Sequence, residues 1–245
     1  MKENSFNREP NTEKPVAQSE MPGRVPTACR AEKTIRNLVF DMAGVLMAYH
    51  WNKPLADLGL PDAEQKRLMA EFLEDEIWIS RDLGQRTAEE AKTAYRLKYP
   101  ADADVICYYM DHLDEISVEL PEIWQLVHQL KEKGYHIYLL SNYPQELFDT
   151  HTAQVPFVED MDGMLLSCQV GICKPDAKIY RTLLDRFGLQ AEESLFFDDR
   201  KANTDAAERI GFHVFEVKSI ACLAKELERI LREEDPTDGE ALLSP

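Results

Sequence analysis

Short apolar runs recur along the chain with helical patterns between them, and this alternation constrains the fold more than any other feature. The runs span 35–41, 136–141, 164–168, 194–198 and 213–217. Between them, Leu120, Ile123, Trp124, Val127 and Leu130 share one helical face, with Pro121 suited to a first turn and Gly134 to a C-terminal stop. Ile179, Tyr180, Leu183, Leu184 and Phe187 form a second face closed by Gly188, and Ile220, Leu223, Leu227 and Ile230 a third. Apolar strands alternating with amphipathic helices bury both faces of a parallel sheet. The expected fold class is therefore α/β, a doubly wound, Rossmann-like parallel sheet.

One interval breaks the rhythm. Residues 50–118 carry helical stretches and no convincing strand, so they are expected to form an all-helical cap inserted after the first strand, leaving 34–49 and 119–232 as the α/β core. Within the insert, Thr87-Ala88-Glu89-Glu90 fits a capping box opening a helix with Ala91, Ala94 and Tyr95, and Gly84 sits in the turn before it. Residues 1–33, rich in Glu, Asn, Pro, Ser and Thr, read as a disordered tail in which Met21 is an alternative start, and 233–245 read as a flexible tail.

A net charge of -17 opposes binding to nucleic-acid phosphates or anionic membranes, so neither is expected as a partner. No apolar run approaches the ~20 residues of a membrane span. Five scattered cysteines (Cys29, Cys107, Cys168, Cys173, Cys222) without a signal peptide suggest reduced thiols in a cytoplasm. Cys168 and Cys173 lack a second pair or a histidine cluster and are read as small buried hydrophobes rather than zinc ligands.

In an open parallel sheet, ligands bind beyond the carboxyl ends of the strands. Four such ends carry polar residues: Asp41; Ser141 and Asn142; Lys174; and Asp198 with Asp199. Taken singly, each is an ordinary turn former or solvated charge. Together their chemistry is consistent. Three converging carboxylates repel unless a cation holds them, and oxygen-only ligands suit Mg²⁺ sharing a phosphate oxygen. A lysine, a hydroxyl and an amide would face the charge on a phosphoryl group, and Asp41 could attack phosphorus to give an aspartyl-phosphate.

The order of these residues resembles the haloacid dehalogenase-like hydrolases, in the branch with a helical cap after the first strand. The resemblance runs from about Ile35 to Leu227 and rests on FDMAGVL, LLSN, CKPD and FFDDRKAN, four motifs in register. It implies Asp41 as nucleophile, Ser141 and Asn142 as phosphoryl binders, and Lys174 as charge stabiliser. Asp199 is implied as the acidic Mg²⁺ ligand, supported by Asp198 and Asn203. The segment WISRDLGQRT is similar to the cap loop that reaches into the site, which makes Trp78, Arg81 and Gly84 candidates for substrate selection, with a packing role equally open for Trp78.

The chain departs from the family's Asp-x-Asp phosphatase pattern at Ala43. The carbonyl implied as a metal ligand survives there; the carboxyl that protonates the leaving group does not. General acid–base help is worth ~10²–10⁴-fold, or roughly 3–5 kcal/mol of barrier, and its loss weighs most on poor leaving groups. Some members of the branch also carry a small residue at this position. His50, near the start of the insert, is a possible surrogate, with a solvated or packing role the simpler reading. Three functions follow: a Mg²⁺-dependent phosphatase acting on a small phosphorylated metabolite, such as a sugar phosphate; a non-catalytic relative binding a phosphorylated ligand or a protein; and a metal-independent 2-haloacid dehalogenase using Asp41 on carbon. The Asp198–Asp199 pair beside the nucleophile favours the first.

Overall fold

The computed structural model describes residues 34–232. The tails expected at 1–33 and 233–245, Met21 and Cys29 lie outside the described residues. The chain runs through β1 (Asn37–Phe40), β2 (Ala48–Tyr49), α1 (Lys53–Asp57), α2 (Asp62–Phe72), α3 (Glu76–Asp82), α4 (Ala88–Lys98), α5 (Ala103–Asp111), β3 (Ser117–Val118) and α6 (Pro121–Glu132). It continues through β4 (His136–Ser141), α7 (Gln145–Thr152), β5 (Gly163–Leu166), α8 (Ser167–Val170), α9 (Ala177–Phe187), β6 (Ser194–Asp198), α10 (Lys201–Ile210), β7 (His213–Glu216) and α11 (Ile220–Arg232).

Five strands form a parallel sheet in the order β5-β4-β1-β6-β7. β1 lies at its centre, with Val39 in register with Tyr138 on one side and Phe196 on the other. Alternate residues of β1 face opposite layers. Leu38 and Phe40 join the core under α6 and α11, with Val127, Leu130, Leu223 and Leu227. Val39 joins Ile179, Tyr180, Leu183 and Ala206 of α9 and α10. Each such side chain, fully buried, stabilises the fold by about 1.5–3 kcal/mol relative to exposure, which is why these strands read as unbroken apolar runs. Pro121 occupies the first turn of α6, Gly188 ends α9 in the left-handed conformation, and the Thr87–Glu90 capping box opens α4.

The helices α1–α5 share a core built on Phe72, Tyr95 and Tyr109, with the Phe72 and Tyr109 rings 4.8 Å apart. Two differences from the sequence reading have clear causes. The interval 50–118 ends in a strand: β3 pairs antiparallel with β2, Ala48 opposite Val118, forming a two-stranded stem at the base of the helical insert. Two residues are too few to leave a periodic signature. The run 164–168 is displaced: β5 is Gly163–Leu166 and Ser167 opens α8. The strand begins at Gly163, where a Cβ would lie 2.3 Å from the Phe187 ring, so the position accepts only glycine without a shift of that ring. Among the described residues, no helix is long and apolar enough to cross a membrane.

Candidate functional site

Because β1, β4 and β6 are parallel neighbours, their carboxyl ends bring Asp41, Ser141 and Asp198 together. Lys174 reaches them from the loop after α8. Its Nζ lies 2.9 Å from Asp41 Oδ1 and 2.7 Å from Asp198 Oδ2, and donates to the Leu140 carbonyl at 2.8 Å. Asp41 Oδ1 also accepts from the Ser141 hydroxyl at 2.7 Å and from the Met42 N–H at 2.7 Å. Burial raises the Asp41 carboxyl to about 6, with Lys174 opposing and Asp198 adding to the shift. For Lys174, burial opposes the charge, but Asp198 and Asp41 outweigh it and hold the amine above its ordinary value. One ammonium is thus shared by two buried carboxylates.

Asp198 is saturated. Both of its oxygens accept from the Asn203 amide, at 2.9 and 3.0 Å, and Oδ1 also accepts from the Arg200 N–H. Asp199, the next residue, is exposed, and its carboxyl is raised by partial loss of hydration in the crowded site and by Asp198. Oxygens of Asp41, Asp198 and Asp199 all lie within 4.8 Å of one another. Gly44 permits this approach. It has a φ of +75°, and a Cβ there would lie 2.6 Å from Asp199 Oδ2. A set of hard oxygen donors, crowded together with one lysine between them, fits a divalent cation such as Mg²⁺. Asp41 and Asp199 have the oxygens best placed to hold it, while Asp198 spends its oxygens on Lys174, the Arg200 N–H and the Asn203 amide donors and so acts from behind.

A cavity of about 520 Å³ opens over this cluster. Asp41, Ala43, Asn142, Lys174, Asp199 and Asn203 lie at its floor, and Trp78 lines it from α3. Other candidates sit elsewhere. Ser141 is 1% exposed and turned to Asp41, so its hydroxyl partners the carboxylate rather than the open space. The Asn142 side chain is clasped to the Lys174 backbone, donating to its carbonyl at 2.9 Å and accepting from its N–H at 2.8 Å. Arg81 is buried away from this cavity, with its guanidinium 2.9 Å from Glu146 and over the Trp78 ring. Gly84 borders an outer groove with Cys168. His50 is exposed, with its backbone N–H bound to the Ile116 carbonyl, and does not line the cavity.

Three features of the wall were not legible from the motifs. Arg200 follows Asp199 and lines the cavity; only its place after the paired acids could have marked it. Asp82, the last residue of α3, lines the cavity where its neighbour Arg81 does not. Tyr49, Trp51 and Tyr143 give the cavity an aromatic side, and no motif announces them. Tyr49 and Tyr143 are joined hydroxyl to hydroxyl at 2.7 Å, and Tyr143 continues to His151 Nδ1. His151 Nε2 meets the Leu113 carbonyl at 2.8 Å. A carbonyl only accepts, so Nε2 carries the proton. Burial lowers the His151 pKa and keeps the ring neutral, so Nδ1 accepts from Tyr143, and Tyr143 in turn accepts from Tyr49. Each phenolic proton of this chain is thus taken up by the next member, from Tyr49 to Tyr143 and from Tyr143 to His151.

A family model for haloacid dehalogenase-like hydrolases matches residues 35–211. The chain is 30% identical over 119 residues (48% of this chain) to acyl-CoA dehydrogenase family member 10 from Mus musculus. It is 25% identical over 213 residues, 80% of this chain and 98% of the relative, to D-ribitol-5-phosphate phosphatase from Bacteroides thetaiotaomicron. Among solved structures, a HAD-like family hydrolase from Porphyromonas gingivalis superposes with a TM-score of 0.66 at 25% identity, covering 82% of this chain and all of the other. A HAD family enzyme from Bacteroides thetaiotaomicron, crystallised as a magnesium complex, gives 0.60 at 22% identity, covering 76% and 94%. The chain spans 11%, 33% and 39% of the length of the first curated relatives it matches.

Proposed function

The chain belongs to the haloacid dehalogenase-like hydrolases, and from that premise we propose that it is a Mg²⁺-dependent phosphatase acting on a small phosphorylated metabolite. The observation that carries the reading is the convergence of Asp41, Asp198 and Asp199 oxygens within 4.8 Å beside a single buried lysine. Without a cation, ionising all three would be costly at that spacing. Asp41 and Asp199 would hold the ion together with the backbone carbonyl at Ala43 that the family pattern implies. When bound, Mg²⁺ would offset the carboxylate charge and draw electron density from the phosphoryl oxygens.

The chain's own residues supply the remaining functions. Ser141 and Lys174 fix the Asp41 carboxylate at its Oδ1, leaving the other oxygen to attack phosphorus. Lys174, with Arg200 at the rim, supplies positive charge where the three phosphoryl oxygens accumulate negative charge. The aromatic side of the cavity excludes water around the organic part of the substrate. A screen of phosphorylated metabolites with and without Mg²⁺ tests the reading. Turnover should require the ion and should vanish in Asp41→Asn; chelator-insensitive turnover would overturn the metal assignment, and halide release from a haloacid without Mg²⁺ would replace phosphate chemistry with carbon chemistry.

A further inference from the structure

With Ala43 in place of the usual carboxyl, the proposed reaction has no evident proton donor on the nucleophile loop. Of the other ionisable groups lining the cavity, Asp199 and Arg200 already have roles at the ion and the phosphoryl group, and Lys218 is ion-paired with Glu216. Lys174 is held between two carboxylates. The protons of Tyr49 and Tyr143 run toward His151, and burial raises both phenols above their ordinary values. His50 does not line the cavity. Asp82, carried by the helical insert, is the carboxyl left in the lining of the cavity that also holds Asp41 and Ala43.

Two contacts hold Asp82 there. Its backbone carbonyl accepts from the Ser167 hydroxyl at the start of α8, and the same hydroxyl accepts from the Tyr143 N–H at 3.0 Å. Two residues on, Gly84 has a φ of +68°, and a Cβ there would lie 2.6 Å from the Cys168 carbonyl. The end of α3 is therefore seated directly on the core. Asp82 caps no described helix, and among the described residues no group hydrogen-bonds its carboxyl.

We propose that Asp82 is the general acid and base of this hydrolase, supplying from the helical insert the carboxyl that the nucleophile loop lacks. The inference rests on the phosphatase reading above. As Asp41 forms its bond to phosphorus and the bond from phosphorus to the leaving oxygen breaks, protonated Asp82 gives its proton to that oxygen and releases the alcohol. The Asp82 carboxylate then takes a proton from water as the water oxygen bonds to phosphorus and the phosphorus–Asp41 bond breaks. Phosphate leaves, Asp41 is again a carboxylate, and Asp82 is again protonated.

The surroundings suit the task. Burial pushes the Asp82 carboxyl up to about 7, against the pull of Arg81 on its own helix and Arg200 across the cavity, with Asp41 adding to the rise. Tyr95, Tyr143, Cys168 and Cys173 also lie within reach of its charge. An acid–base group works best near the operating pH.

The test compares an alkyl phosphate, whose alkoxide needs a proton, with p-nitrophenyl phosphate, whose phenolate does not, using full-length protein with Mg²⁺. Asp82→Asn should lower kcat/KM, which reports the steps up to release of the leaving group, by about 10²–10⁴-fold on the alkyl ester and by less than tenfold on the aryl ester. In the wild type, the alkyl kcat/KM profile should fall as pH rises through an apparent pKa near 7, a limb that the aryl kcat/KM profile lacks, and this readout needs no variant to fold. Equal losses of kcat/KM on both esters in a variant that melts no lower than the wild type, or superimposable wild-type kcat/KM profiles, would overturn the assignment. Asp41→Asn separates the two levels of the reading: its loss of both activities with Asp82→Asn inert sinks only Asp82, whereas Mg²⁺-dependent turnover surviving Asp41→Asn sinks the phosphatase reading itself.

Discussion

Replacing Lys174 with methionine tests how the acidic cluster is held together, and the geometry sets the size of the effect. Methionine keeps the apolar stem and removes the ammonium, which is 1% exposed and lies 2.9 Å from Asp41 and 2.7 Å from Asp198. Removing one partner of a buried ion pair costs about 3–5 kcal/mol, because the remaining charge is stranded. In a protein of this size, 1 kcal/mol moves Tm by about 2–4 °C, so the metal-free variant should melt roughly 6–20 °C below the wild type at pH 8. The deficit should shrink at pH 5. Asp41 is already raised to about 6 with the lysine present, and without it the carboxyl should protonate at still higher pH and escape the penalty. Mg²⁺ should also narrow the gap by giving the carboxylates another cation. Thermal unfolding followed by circular dichroism at both pH values, with and without Mg²⁺, measures all three. A drop under about 2 °C, well below the range expected for a buried pair, would refute the reasoning; so would a deficit of equal size at pH 5 and pH 8.

Gly44→Ala should weaken the metal site. It adds about 1–2 kcal/mol of left-handed backbone strain and places a Cβ 2.6 Å from Asp199 Oδ2, so Mg²⁺ affinity by calorimetric titration should fall at least tenfold; an affinity within about twofold of wild type would contradict this. Asp82 should leave a signature in metal-free stability. Its carboxyl is raised to about 7, so the fold disfavours the ionised form: stability is full below the ordinary carboxylate pKa of about 4 and declines as pH rises toward 7. Asp82→Asn removes that decline, and its Tm relative to wild type should be higher at pH 8 than at pH 4.5; no such difference would count against a raised carboxyl at this position. Asn203→Ala should lower activity through Asp198, which would lose its donors at 2.9 and 3.0 Å, while Mg²⁺ affinity changes less than in Gly44→Ala; the reverse order of effects would make Asn203 a direct ligand.

Much of the core was legible because its signals are repetitive. Val39 and Phe40 sit in an unbroken apolar run because both faces of β1 are covered, and Ile179, Tyr180 and Leu183 recur at helical spacing because one face of α9 is buried. Asp41 and Asp198 could be placed beforehand because strand ends in a parallel sheet are neighbours. What escaped were features set by three-dimensional approach. β3 is two residues long, and only its pairing with β2 makes it a strand. Arg81 and Asp82 are adjacent, but the last turn of α3 sends one toward Glu146 and the other to the cavity. A helical period fixes the angle between two neighbours, not which of them faces the core when the flanking apolar pattern is as sparse as in this segment. The tyrosine–histidine chain joins residues 49, 143 and 151, whose separations obey no local period.

The central claim is that Asp41 forms a bond to phosphorus with help from a divalent ion, and it can be tested before any substrate is known. Inorganic phosphate labelled in its four oxygens with ¹⁸O should exchange that label with water on incubation with the protein and Mg²⁺, because each reversible formation of the aspartyl-phosphate expels one oxygen. Mass spectrometry should show stepwise loss of label that stops with chelator and is absent in Asp41→Asn. Label retained by the wild type with Mg²⁺ present, or lost equally in Asp41→Asn, would contradict the account.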